Sequence, residues 1–386
     1  MLDSFRFLAI ISVIFFHYTY SWTLPHSDHN LYPYGNFYGS TFKYGYLGVE
    51  FFFIISGFVI SYTLENTAGA GAFLKNRFIR LFPPIVCWSV VTYLTFLLLD
   101  SNNVFPNAHK LKNLLFSLTF INPEIGTAVF KYRFDWLNGS YWSLWVEVQF
   151  YFLAAILFYL SKKTFLRNML ALSLLLFLFN FIPEHFLQPI HINQVPATMV
   201  GFFYNARYVN SLFNLTHYIC FFAAGVVFHH LFKGGRLNFI TIFLSGFILI
   251  GQLYNSFALG EKLIFLIMLL LFAVMIYKRK LLFFLDNPLL IRIGMISYSV
   301  YLAHEDIGIL LINKYGGYLG RWSPISPILD CAFVILAAEL SYRFIEQRAG
   351  RMLKRWLSGD SNKLPKTGSR QIPVNEGLTK IPEIRP

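Results

Sequence analysis

The chain has 386 residues, 56% of them hydrophobic and only 13% charged, with a mean hydropathy of +0.53. A soluble domain carries roughly 25% charged residues, and no water-soluble fold of this length hides 44 phenylalanines among its still more numerous aliphatic residues. The formal charge of +13 is spread over short basic runs between apolar stretches, which argues against a nucleic-acid surface and for an orientation signal in a bilayer.

Ten stretches reach or approach the ~17–25 residues that cross a bilayer as a helix. They lie near residues 5–22, 45–64, 82–99, 141–160, 165–182, 213–232, 238–255, 262–277, 293–312 and 326–345, the eighth being marginal with ends that extend. LKNLLFSLTFI at 111–121 is apolar but too short, and reads as a re-entrant or interfacial piece. No small-residue cleavage site follows the first stretch, so a retained signal anchor is expected. With the N-terminus inside, most of the 32 Lys and Arg residues fall on the cytoplasmic side. The predicted fold class is therefore an all-α polytopic membrane protein of about ten transmembrane helices with both termini cytoplasmic. Residues 1–348 form one membrane domain. From about Gly350 the composition turns to Pro, Lys and Ser, so 349–386 reads as a disordered basic tail.

Arg6 and His17 share the first stretch, FRFLAIISVIFFHYTYSW. Eleven residues at about 100° each return to the same helix face, roughly 16 Å further along the axis. His17 is then expected well inside the hydrocarbon, where an ionisable group is costly and marks a functional candidate. The plainer alternative is a hydrogen bond to a neighbouring helix. In GVEFFFIISGF, Ser56 and Gly57 form a small-residue spot suited to close helix approach rather than to nucleophilic chemistry. FLKNRFIRLFPP places Lys75, Arg77 and Arg80 just before a helix start expected at Pro83 and Pro84. Arg77 and Arg80 are neighbours on a helix face and suit forked phosphate contacts, with ordinary positive-inside charge as the alternative.

YWSLWVEVQFYF carries Glu147 about two turns below the outer end of its helix, a depth resembling that of His17. A carboxylate there can orient an imidazole; Tyr141, Trp142, Trp145 and Tyr151 suit interfacial anchors. ISYSVYLAHEDIG sets His304, Glu305 and Asp306 near mid-membrane, so this helix either lines an aqueous cavity or is broken there. His304 reads equally as a second acid/base or as the partner of a buried carboxylate. Cys87, Cys220 and Cys331 fall inside predicted helices without metal-ligand spacing and read as packing residues. No metal site, Gly-rich phosphate loop or CxxC motif is present, so any chemistry belongs to the membrane bundle itself.

The opening LDSFRFLA with Arg-x10-His, then FFFIISGFVI, NRFIRLFPP, YWSLWVEVQFYF and ISYSVYLAH, resembles membrane-bound acyltransferase family 3 in the family's own order over residues 1 to about 348. The resemblance implies an O-acyltransferase of a bacterial inner membrane, with acyl-CoA, commonly acetyl-CoA, as co-substrate and no tightly bound cofactor. It implies an acceptor hydroxyl on a cell-surface glycan, lipid-linked sugar or related glycoconjugate. His17 matches the family's essential histidine, Arg6 its partner, Arg77 and Arg80 the Arg-x-x-Arg pair, and Glu147 the acidic residue of the Trp-Ser-Leu motif. Lys75 joins the arginines as a donor contact, and His304, Glu305 and Asp306 are secondary candidates. His17 would serve as general base or as transient acyl carrier. Without the periplasmic hydrolase-like domain of some relatives, the chain resembles the stand-alone members; self-association into a homo-oligomer is open. The competing class is a proton-coupled transporter or flippase of a glycan or lipid that uses the same buried groups.

Overall fold

The computed structural model of the chain describes residues 1–22, 31–188, 196–255 and 258–358, and among these every regular element is helical. The apolar stretches become α1 (Leu2–Thr19), α2 (Gly48–Glu65), α3 (Ala70–Leu99), α6 (Trp142–Leu160), α7 (Phe165–Phe186), α9 (Leu215–Phe232), α10 (Phe239–Asn255), α11 (Leu259–Tyr277), α13 (Ser297–Tyr315) and α14 (Ser326–Ser341). Shorter or more polar helices intervene: α4 (Leu111–Ser117), α5 (Pro123–Phe130), α8 (Ala197–Leu212), α12 (Pro288–Met295) and α15 (Gln347–Ser358). Seven helices, α1, α2, α3, α6, α7, α9 and α11, are long and apolar enough to cross a membrane. The other three expected spans are also helices. However, α10 and α14 have only 17 and 16 residues, and α13 carries the His304–Glu305–Asp306 triplet, which lowers its hydropathy.

Pro83 and Pro84 do not open a helix: α3 begins at Ala70 and runs through both. The two rings deprive the carbonyls of Ile79 and Arg80 of their amide donors. The helix continues because Leu81, Pro83, Pro84 and Ile85 are all buried in the bundle, a case of tertiary packing overriding local propensity. Lys75, Arg77 and Arg80 therefore belong to the membrane helix itself.

Glycines set the closest crossings. An added Cβ on Gly57 would lie 2.1 Å from the Phe222 carbonyl oxygen, and one on Gly225 would lie 2.1 Å from that of Ile54. The α2 and α9 backbones therefore touch, as the Ser56–Gly57 spot predicts. Phe53 stacks on Phe222 and Phe58 packs edge-on against His229 further along, so α2 and α9 run in the same direction. α1 also runs alongside α12 and α13 in their direction: Gly294 of α12 abuts the Asp3 carbonyl at one end, and Tyr18 Oη donates to the His304 carbonyl of α13 (2.9 Å) at the other.

α1 stops at Thr19, so His17 sits in its last turn rather than well inside a longer helix as expected. The terminal carbonyls that α1 leaves without helical donors are taken by tyrosines of the following loop. Tyr32 Oη donates to the His17 carbonyl (2.5 Å) and Tyr34 Oη to that of Tyr18. Tyr141 and Tyr151, expected at the interface, are 0% and 3% exposed and belong to the core. The tail expected to be disordered from 349 instead begins with α15, whose Lys354 and Arg355 flank the exposed Met352 and Trp356; the remainder of that segment, 359–386, lies outside the described residues.

Beyond α3, Asp100 gathers its loop by accepting from the amides of Val104 (2.9 Å) and Phe105 (3.0 Å) and pairing with His109 Nε2 (2.9 Å). Burial alone would raise this carboxyl, but the Phe105 amide, His109 and the Val104 amide hold it below its ordinary value. A carboxyl depressed in the fold stabilises it above the unfolded value of about 3.9, and that contribution is lost as pH falls through the lower folded value. Asp100→Asn should cost about 1–3 kcal/mol at neutral pH. The melting-temperature gap from wild type should close on acidification; a pH-independent gap would show that the charge is not what matters.

Candidate active site

A cavity of about 70 Å³ lies among α1, α2, α3, α6 and α13. Arg6, Arg77 and Arg80 line it together with Ser56, Glu147 and Tyr151. Arg6 donates to Asp3 (2.6 Å). Arg77 lies over the rings of Phe73 and Tyr151, at 5.5 and 5.9 Å, and donates Nη2 to Thr63 Oγ1 (3.1 Å). Its Nε and Nη1 are buried with no hydrogen-bond partner among the described residues. Arg80 is exposed at the rim. Three guanidinium groups therefore face one cavity carboxylate, and Arg77 keeps two fork donors free, which suits an oxyanion.

Glu147 does not meet His17 as expected: it accepts from Ser56 Oγ (2.6 Å) and faces the arginines. Its direction around α6 turns it toward α2 and α3. Lys75 likewise leaves the cavity and donates Nζ to the Leu357 carbonyl at the end of α15 (2.7 Å). Two residues apart on a helix, Lys75 and Arg77 point roughly 200° apart.

The imidazole of His17 meets α13. Its Nδ1 lies 3.5 Å from Glu305 Oε1, with the two side chains 16% and 10% exposed. The His304 ring stands 5.2 Å from that of His17 and is fully buried. His304 Nδ1 contacts the Tyr301 carbonyl at 2.7 Å. A carbonyl only accepts, so the neutral ring carries its proton on Nδ1 and keeps a lone pair on Nε2; Nε2 has no hydrogen-bond partner. Asp306 accepts weakly from the Gly139 amide (3.4 Å). A Cβ added at Gly139 would fall 2.6 Å from Glu305 Oε1, so a larger residue there would push the carboxylate aside. Unbroken, α13 brings two residues of its triplet to His17 and turns the third to the chain before α6.

Tyr301 is the residue the sequence reading passed over. It lines the arginine cavity, and its ring lies 5.2 Å from that of His304. Its hydroxyl accepts from Ser143 Oγ (2.8 Å) and donates to the Ser140 carbonyl (3.1 Å). Tyr301 thus stands between the arginine cavity and the histidine pair. The signal available was its spacing, three residues before His304 and so on the same face. Among the described residues, no group of three or more His, Cys, Asp or Glu side chains is placed to hold a metal ion.

Residues 2–341 match the family described as the acyltransferase domain, family 3. The chain belongs to that acyltransferase family. A Staphylococcus aureus (strain COL) protein provisionally named an O-acetyltransferase is 25% identical over 377 residues, covering 89% of this chain and 56% of the relative. The O-acetyltransferase OatA of the same strain is 25% identical over 376 residues, with the same 89% and 56% coverage. The chain thus spans about half the length of the relatives it matches. No solved structure matches it. Family membership accounts for the order of the five motifs along the chain, whereas the grouping of His17 with Glu305 and His304 comes from the structure.

Proposed function

We propose that the chain is an integral-membrane O-acetyltransferase that moves an acetyl group from cytoplasmic acetyl-CoA to a hydroxyl of a cell-surface glycan or related glycoconjugate. The observation that carries this reading is the placement of a three-arginine cavity and a buried His17–Glu305 couple on two sides of Tyr301. The family and the names of the staphylococcal relatives support it. In a ten-span arrangement with both termini inside, α1 and α13 are odd-numbered spans and α2 and α9 even-numbered, which agrees with the shared direction of each pair.

The donor's phosphates engage Arg80 and the free donors of Arg77 at the inner mouth, and Arg6 extends the positive lining. At about 70 Å³ the cavity is smaller than the ~300–1,000 Å³ of ordinary ligand sites, so it takes the reactive end of the donor rather than the whole. The thioester reaches His17 when Tyr301 tilts aside. With Nδ1 3.5 Å from Glu305 Oε1, close but short of a formed hydrogen bond, His17 uses Nε2 to take the proton from the acceptor hydroxyl. The alkoxide oxygen bonds to the thioester carbonyl carbon, the C–S bond breaks, and the departing CoA thiolate takes the proton back from the imidazolium. Glu305 steadies that imidazolium while it carries charge. Glu147, bonded to Ser56, positions the arginine cluster and does not act on His17.

Donor binding tests the cavity. A hydrogen bond to a charged group contributes about 1.5–3 kcal/mol, so Arg77→Ala should bind a non-hydrolysable acetyl-CoA analogue about 10- to 150-fold more weakly. Purified, folded wild type that binds no acyl-CoA would overturn the donor assignment and bring the transporter class forward.

A further inference from the structure

A larger cavity, about 320 Å³, opens on the other side of α2, between the ends of α2, α6 and α9 and the start of α7. One wall is apolar, formed by Phe158, Phe165 and Val226. The rim is basic. Lys233 is committed to Glu65 (2.8 Å), whereas Lys162 and Lys163 have no carboxylate partner among the described residues. Lys162 rests its ammonium 5.6 Å above the Phe158 ring. Inside, the His229 side chain is only 5% exposed and its Nε2 makes no hydrogen bond, lying 3.7 Å from Glu65 Oε2. Glu65 at 3.7 Å is beyond hydrogen-bond reach, so this buried ring nitrogen has no hydrogen bond among the described residues and has room for one with a group from outside the chain.

We infer that this cavity binds a phosphate group, held by Lys162, Lys163 and His229, and supplied by an anionic phospholipid or by a soluble phosphate. The site is separate from the arginine cavity, which lies on the opposite face of α2, and it does not rest on the acyl-transfer reading. Basic pockets between membrane helices on the cytoplasmic side are where anionic headgroups dock. The apolar wall below the lysines matches a lipid's glycerol and acyl start, whereas the lysines and His229 alone would suffice for a free phosphate.

The test uses the full chain in two arms. Native mass spectrometry of protein from nanodiscs counts retained phosphatidylglycerol against phosphatidylcholine, and thermal melting follows titration with inorganic phosphate. Lys162 and Lys163 are exposed at the rim, so Lys162→Gln/Lys163→Gln keeps its fold. Lys278→Gln/Lys280→Gln removes the same charge from exposed positions outside the cavity. At about 1 kcal/mol per lysine, the rim double variant should retain phosphatidylglycerol roughly 30-fold less well, and the control should match wild type. Loss of phosphatidylglycerol in the rim variant supports the site with a lipid source. Melting stabilised by phosphate in wild type but not in the rim variant, without lipid retention, supports it with a soluble source. Binding of neither ligand, or equal losses in both double variants, overturns the inference.

Discussion

His17→Ala is expected to slow acetyl transfer by about 10²–10⁴-fold, the usual share of a positioned general base, while leaving acetyl-CoA affinity unchanged. The two readouts separate because His17 does not line the arginine cavity and meets Glu305 and His304 beyond Tyr301. Glu305→Gln should retain binding, lose part of the rate and shift the pH profile, because the amide holds the ring but cannot balance its charge. Single-turnover transfer of labelled acetate, measured beside analogue binding, decides the matter. A His17→Ala enzyme within a few-fold of wild type removes His17 from the chemistry. Acetate caught on His17 in a rapid quench would replace the general-base route by a covalent one.

Gly57→Val should be among the most damaging single substitutions in the bundle. The new Cβ would fall 2.1 Å from the Phe222 carbonyl oxygen and 3.1 Å from Gly225 Cα. Both obstacles are backbone, so no side chain can swing away, and α2 and α9 must separate. Overpacking commonly costs about 1–3 kcal/mol where side chains give way; a backbone collision exceeds that. Little monodisperse protein should survive size exclusion, and what does should melt well below wild type. Ser56→Ala, one residue earlier, should fold normally and lose only the bond to Glu147. A Gly57→Val protein that melts like wild type would show that the two helices do not touch.

Much of this was legible in the residues. The apolar runs gave the helices, and the order of motifs gave the family, because both depend on properties that survive in one dimension. Depth was legible only in part: α1 ends at Thr19 and leaves His17 in its last turn, whereas Glu147 lies further inside α6. Direction around the axis was not. Glu147 turns to the arginines and Glu305 takes the place at the imidazole, because azimuth is fixed by which helices pack side by side. The same limit explains Lys75, two residues from Arg77 and on another side of α3. Pro83 and Pro84 misled for a different reason: burial held α3 helical where the local rule predicted a start.

Tyr301 has a consequence for the cell as well as for the reaction. Under the proposed function, a protein that admits a coenzyme from one side and a hydroxylated acceptor from the other risks becoming a leak for protons. The Tyr301 hydroxyl is tied to Ser143 and to the Ser140 carbonyl, and freeing it breaks both bonds at a cost on the order of 1–3 kcal/mol. If the proposed transfer needs Tyr301 to move, the form with both bonds broken is the less populated one in the absence of a donor. Chemistry can then pass through the bundle while the membrane potential is kept.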